Sequence, residues 1–269
     1  MSTGTSPSAA GGTLRTRLGA KLRRFNWPFW LVLVLVLIAW DVIAANVSNS
    51  LVFVPLASIA QRAITLWQEE NLWRDITTSG LEFILGFIAA VVIGVVVGTI
   101  SGHWRRTGRV IDPFVNAAYA MPVIALGPLF IIALGLGIAS KVAIVALAAV
   151  FPIILNTTAG IAATERTHIE LGRAFCLSDT TILWKISLPS SVPYILAGMR
   201  VAVGRGLTAI VAGELFGAQA GLGLRILTSA TTFDTAGVFV ATLILSTAGV
   251  LLNQLLHALE ARIAPWRVT

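Results

Sequence analysis

Six stretches of this chain are each long and apolar enough to cross a lipid bilayer, which leaves one kind of fold open. They cover residues 29–45, 76–100, 114–136, 142–163, 192–216 and 236–256. Each is near the ~20 residues that a helix needs to traverse ~30 Å of hydrocarbon. Backbone N–H and C=O groups meet no water there, so segments of this length span as helices. Composition agrees. With 57% hydrophobic and 12% charged residues among 269, and a mean hydropathy of +0.88, the chain has too little polar surface for a soluble domain of its size. The reading is an all-α polytopic membrane protein. A six-helix transmembrane domain over 28–268 follows a basic, partly disordered cytoplasmic tail over 1–27. A cleaved signal peptide is the lesser reading of that start, because the leading tail is long and no small-x-small site follows Trp40.

Orientation follows from the basic residues. With the N-terminus inside, thirteen Lys and Arg fall in inner segments and four in outer ones: Arg62, Arg74, Lys141 and Arg225. That asymmetry predicts an N-in, C-in topology. It also accounts for the net charge of +7 without a nucleic-acid partner. Six tryptophans, Trp27, Trp30, Trp40, Trp67, Trp73 and Trp104, fall at or near the ends of spans, where amphipathic rings prefer to sit. Between the first two spans, Pro55-Leu56-Ala57-Ser58 reads as a helix start. Ile59, Ala63, Leu66 and Trp67 follow at helical spacing, so a helix lying on the outer surface is expected.

Several residues within the spans carry more than hydrophobicity. Gly86, Gly94, Gly98 and Gly102 stand in the second span, the last three as small-xxx-small. The pattern allows close approach between helices, and plain packing is the preferred reading. Met121-Pro122 and Gly127-Pro128 interrupt the third span, and Phe151-Pro152 the fourth. Proline removes a backbone donor and kinks a helix, which is tolerated beside cavities or other helices. Asp41, Glu82, Arg200, Arg205 and Glu214 place charge in or near spans, where charge suggests function. Asp41 is close to the outer end of its span, Glu82 has room to face a partner helix, and Arg200 is placed to snorkel. Arg205 and Glu214, both in the fifth span, are the pathway candidates, although nine residues of separation leave their common facing open.

One polar stretch, residues 165–189, separates the fourth and fifth spans. Its charges cannot lie unpaired in lipid, so it protrudes, on the cytoplasmic side by the charge count. Two short helices are expected. Thr167 and Glu170 have the spacing of a capping box that opens the first; Ser178 and Asp179 cap the second, and Pro189 stops it. Ile169, Cys176, Leu177, Ile182, Leu183 and Trp184 are too apolar for a free loop, and Glu170, Arg173, Asp179 and Lys185 edge them with charge. An apolar centre with a charged rim is how a partner site is built.

Catalytic signatures are missing. The three lysines follow Ala20, Ser140 and Trp184, never the glycine of a phosphate-binding loop. His103, His168 and His257 stand apart, so no histidine metal site is expected, and the single Cys176 permits no internal disulfide. No catalytic residue is assigned. Work done across the membrane needs an engine supplied elsewhere.

The hairpin resembles the EAA loop of ABC importer permeases, whose pattern is E-A-A-x3-G-x9-I-x-L-P. Glu170 takes the glutamate place, Leu171-Gly172 the two alanines and Cys176 the glycine, with Ile186, Leu188 and Pro189 at the family's spacing. Residues 151–160, the Glu214-Leu215-Phe216-Gly217 stretch with Gly221-Leu222-Gly223, and the ending over 259–267 are similar to the sulfonate/taurine/nitrate branch. The resemblance covers about 28–268 and implies the type I importer permease fold. It also implies a second copy of the chain, two cytoplasmic ABC ATPase subunits that bind the ATP and magnesium, and an extracytoplasmic solute-binding protein. The coupling residues it implies are Glu170, Gly172, Arg173, Cys176, Leu177, Ser178, Asp179, Ile186, Leu188 and Pro189. The path is expected near Met121, Pro122, Gly127, Pro128, Arg205 and Glu214. The cargo it implies is a small organic or inorganic anion such as an alkanesulfonate, taurine or nitrate. A different class of reading is a self-contained proton-coupled carrier using Asp41, Glu82 or Glu214; a third is a scaffold that only anchors partners.

Overall fold

A computed structural model describes residues 27–46 and 53–264. The basic tail, apart from Trp27, and the last five residues lie outside the described part. Among the described residues the regular structure is helical throughout.

The first unit ends at Leu56 and holds helix α1, Trp27–Asn46, whose apolar part is Trp30–Asn46. Residues 53–56 fold against its end. The Trp40 indole donates to the Val54 carbonyl at 3.0 Å and meets the Phe53 ring at a tilt of 57°, while the Leu56 amide donates to the Asp41 carboxylate at 3.2 Å. Asp41 therefore has a local structural partner.

The second unit holds the rest. Helix α2, Leu56–Glu69, forms where the spacing predicts it and buries Ile59 and Leu66. Then come α3 (Leu72–His103), α4 (Arg105–Ala120), a 3₁₀ turn (Val123–Leu126), α5 (Gly127–Leu134) and α6 (Ile138–Ala162). After them are α7 (Arg166–Ala174), α8 (Asp179–Ile182), a π turn (Leu183–Ser187), α9 (Leu188–Leu215), α10 (Leu222–Thr231) and α11 (Thr235–Ile263). Four continuous helical stretches have the length and composition to cross a membrane: α3, α6, residues 179–215 and α11.

The third expected span, 114–136, is not one helix. Helices α4 and α5 meet at an angle of 83°, and only taken together as one bent pair do they have the length and composition of a fifth crossing. The cause is local. Met121 precedes a proline, which disfavours helical backbone, and it is extended at ψ 135. Pro128 then opens α5 from the first turn, where its missing N–H costs nothing.

The core of the bundle is α6, flanked by α3 and α9. On α3, a Cβ at Gly86, Gly94, Gly98 or Gly102 would stand 2.6–2.7 Å from Val145, Ile153, Thr157 or Ile161 of α6. Ala90, fully buried, continues the same row. Four-residue steps on both helices thus bring the backbones together, as the glycine spacing predicts. The Thr158 hydroxyl donates to the Gly98 carbonyl at 3.2 Å across this seam. On the other side of α6, Gly198 of α9 lies against Asn156 and the Pro152 carbonyl, and Gly160 against Tyr194.

A side chain introduced into this seam has no room. Gly98→Val is expected to lower the melting midpoint of the detergent-solubilised protein, at a cost of about 1–3 kcal/mol. Gly80→Ala, on the same helix with nothing within 4 Å of its added Cβ, leaves the midpoint unchanged. Equal melting of the two variants would show that α3 and α6 do not depend on this contact.

Candidate functional site

The hairpin builds two arms. The first, α7, starts two residues earlier than the capping-box reading requires: Glu165 is the flanking residue, no side-chain cap is made, and Thr167 lies inside the first turn. Its end is a left-handed cap. The Leu177 amide donates to the Gly172 carbonyl at 3.1 Å and the Cys176 amide to the Arg173 carbonyl at 2.8 Å, with Cys176 at φ 55. That backbone suits glycine, the residue whose place Cys176 takes in the loop pattern. Ser178 caps α8, accepting from the Thr181 amide at 3.2 Å, as its position predicts.

Pro189 does not stop the second arm. The π turn accommodates it, the Ser190 hydroxyl donates to the Ile186 carbonyl at 2.7 Å, and the helix continues to Leu215. The arm and the spanning helix are one body of 37 residues. Gly172 is buried against Ile182 and Ile186, which closes the hairpin on itself. Leu171, Phe175 and Trp184 stay outside, the last two 72% and 65% exposed, beside exposed Glu170, Arg173, Asp179 and Lys185.

Farther along the same helix, Arg205 enters a cleft of about 320 Å³ with Met121, Pro122, Ile124 and Thr208. Its guanidinium lies 3.9 Å from the centre of the Tyr119 ring, a cation–π contact, and remains exposed. Three expected path residues, Met121, Pro122 and Arg205, thus come together. Pro128 is exposed on α5, and Gly127 is buried, leaving 2.7 Å between an added Cβ and the Phe216 ring. Arg200 is not free to snorkel: it pairs with Glu260 of α11.

Glu214 does not line that cleft. Buried at 1% exposure, it accepts from the Ser79 hydroxyl and the Gly223 amide, each at 2.5 Å. Ser79 Oγ accepts from the Leu222 amide at 2.8 Å, and Asp75 Oδ1 from the Gly221 amide at 3.0 Å. Gly221 has φ 134, and any Cβ there would strike the Glu214 carboxylate at 2.4 Å. The glycines of this stretch thus make room for a buried acid. Around it Arg225 bridges Asp75 and Glu70, and Arg62 bridges Glu70 and Asp234 at 2.8 and 2.6 Å. Burial works against the Arg62 cation, but hydrogen bonds and charge from Asp234 and Glu70 raise its pKa above the ordinary guanidinium value. Lys141, counted from sequence among the outer loop charges, is 2% exposed and clamps the carbonyls of Leu136, Gly137 and Gly217. The long-range partnerships among these were not legible in advance, because their partners stand up to 155 residues apart.

Comparison with known proteins bears on this arrangement. The family described as "Binding-protein-dependent transport system inner membrane component" matches residues 90–265. A probable ABC transporter permease of Brucella abortus is 31% identical over 78% of this chain and 84% of its own. The taurine transport permease TauC of Escherichia coli is 26% identical over 94% and 97%. The putative aliphatic sulfonates permease SsuC of Bacillus subtilis is 29% identical over 98% and 96%. Among solved structures, the MetNI methionine ABC transporter matches 72% of this chain and 98% of its own at a TM-score of 0.56 and 19% identity, a likeness of fold. These relatives lend no support to a self-contained proton-coupled carrier.

The left-handed cap gives a local test. Cys176→Gly relieves a non-glycine residue held at positive φ and is expected to stabilise the hairpin by about 1 kcal/mol. Limited proteolysis between residues 165 and 189 reads it: the glycine variant is cut more slowly, and Cys176→Val faster. An unchanged rate in both would contradict the strained cap.

Proposed function

Because this chain belongs to the binding-protein-dependent transport system inner membrane components, the permeases of ABC importers, we propose that it forms the membrane path for a small anion delivered by a binding protein. The chemistry of the cargo is that of a sulfonate, taurine or nitrate. The observation that carries the proposal is the unbroken helix from Asp179 to Leu215. One end of it is half of an exposed apolar hairpin; the other bears Arg205 in the cleft beside Met121 and Pro122. A displacement at the hairpin is therefore a displacement of the cleft wall.

The remaining parts follow from this reading. Six crossings are α1, α3, the broken α4–α5 pair, α6, α9 and α11. The charge asymmetry supports N-in and C-in, with the hairpin in the cytoplasm against the ATPase subunit. Leu171, Phe175 and Trp184 are the apolar contacts, and Glu170, Arg173 and Asp179 the rim. Arg205, a cation amid a spanning helix, requires water, a passing anion or a neighbouring subunit rather than lipid. A second copy of the chain completes the path, and ATP and magnesium belong to the ATPase. The protein is placed in the inner membrane as one subunit of that complex.

Two substitutions test this in proteoliposomes holding the permease with its own ATPase and binding protein. Trp184→Asp, at an exposed position, is expected to reduce ATP-driven uptake about tenfold or more, with unchanged melting and membrane abundance. Normal uptake would reject the coupling role. Arg205→Gln is expected to slow uptake of sulfonate or nitrate by a similar factor while ATPase binding persists, and Arg205→Lys to restore part of the rate. Equal uptake by all three proteins would remove Arg205 from the path.

A further inference from the structure

Among the described residues three acids of the bundle are buried, and one of them differs. Both oxygens of Glu214 and both of Asp75 are hydrogen-bonded. Glu82, on α3 and 5% exposed, makes no hydrogen bond or ion pair among the described residues, and its Oε2 is fully enclosed without a donor. A buried carboxylate oxygen without a donor is costly, and such a group points to a missing donor. Glu82 lines a cavity of about 330 Å³, together with Arg74, Thr78, Lys141 and Gln219.

The neighbouring lysine does not supply a donor. Its three N–H groups are spent on the carbonyls of the 136–137 turn and of Gly217, so it offers the cavity charge but no free hydrogen bond. Arg74 is the opposite case: exposed, with no side-chain partner among the described residues, and lining the same cavity. Arg74, Thr78 and Glu82 step along α3 by four residues, so they share one face. About 12 Å of helix rise separates the cation from the acid, with the hydroxyl between them.

We propose that this cavity takes a small zwitterion, an aminosulfonate or amino acid. Its ammonium group lies against Glu82, and its acidic group lies toward Arg74 in the field of Lys141. A simple anion fits the Arg74 end but leaves Glu82 without a donor. A simple cation meets Glu82 but is repelled by the two bases. The cavity therefore selects the doubly charged molecule, and it narrows the cargo of the proposed importer, on which this inference rests, from small anions in general to those that carry an amino group.

The test uses the full-length permease in nanodiscs, with taurine, ethanesulfonate and ethylammonium as probes in melting titrations. Taurine is expected to raise the melting midpoint, with the other two giving little shift at the same concentration. Glu82→Gln should weaken the apparent affinity for taurine about tenfold or more and leave any response to ethanesulfonate as it was. Arg74→Gln, at an exposed position that does not threaten folding, should weaken both. The proposal is overturned if taurine and ethanesulfonate act alike on the unaltered protein, if neither acts, or if Arg74→Gln leaves the taurine response intact. A silent titration alongside hairpin-dependent, ATP-driven uptake removes the zwitterion site alone. Uptake that ignores the hairpin removes the importer reading instead.

Discussion

Everything in the second unit is hung on the contact between α3 and α6. In a bilayer, helices gain nothing by hiding apolar surface from one another, since lipid tails are equally apolar. Association has to come from close packing and from hydrogen bonds made where no water competes. The row Gly86, Ala90, Gly94, Gly98 and Gly102 supplies both. It lets β-branched side chains of α6, Val145, Ile153, Thr157 and Ile161, rest on bare backbone, and it exposes the Gly98 carbonyl to the Thr158 hydroxyl. Helix α9 then joins by the same device in the other direction, its Gly198 seated on α6. The result is a spine of three helices whose relative positions are fixed by sterics.

That spine explains why polar residues can be concentrated at one end. The start of α3 and the end of α9 are held side by side, so Ser79 and Asp75 stand ready to meet the turn that follows Leu215. Glu214 accepts the amide of Gly223, Asp75 that of Gly221, and Ser79 that of Leu222, so the turn has three amides held by side chains. Buried polar groups are tolerable only when satisfied, and here each oxygen of Glu214 has a donor. The shell of Arg225, Glu70, Arg62 and Asp234 extends the same lock to α2 and to the start of α11, whose first turn Asp234 caps at the Gly237 amide. The far end of α9 is thereby braced, as the proposed transmission from the hairpin along this helix requires.

How much of this the chain disclosed in advance depended on the range of the interaction. Apolar runs and glycine spacing are local, and the long helices and the α3–α6 seam follow from them directly. Ser178 as a cap is local too. The bend at Met121 needed a judgement between a kink and a break, and the two prolines six residues apart, Pro122 and Pro128, decide it, because the second begins a new helix. Pro189 misled for the complementary reason. A proline is compatible with a helix when the register widens to a π turn just before it, and nothing in the immediate neighbours announces that. The locations of Lys141 and Glu214 were beyond reach altogether, since a lysine beside a loop and an acid near the end of a span take their meaning from segments brought alongside by the fold.

The same distinction separates the two halves of the functional argument. The hairpin is a surface feature whose chemistry is contiguous in sequence, yet its apolar face was only partly visible: Leu177 and Trp184 stay outside as read, Ile182 and Leu183 turn inward, and Leu171 and Phe175 are exposed instead. The proposed path draws on α3, the α4–α5 break, the start of α6 and the middle of α9, segments that only the fold brings together. Arg205 has a ring and a carbonyl from Tyr119 but no acid beside it. Glu82 has bases in its cavity but no donor on its oxygen. A structural ion pair would have brought such charges together and cancelled them. Keeping the cation and the acid apart, each incomplete in its own way along a single bundle, is costly in a membrane, and the proposed cargo, charged and mobile, would offset that cost.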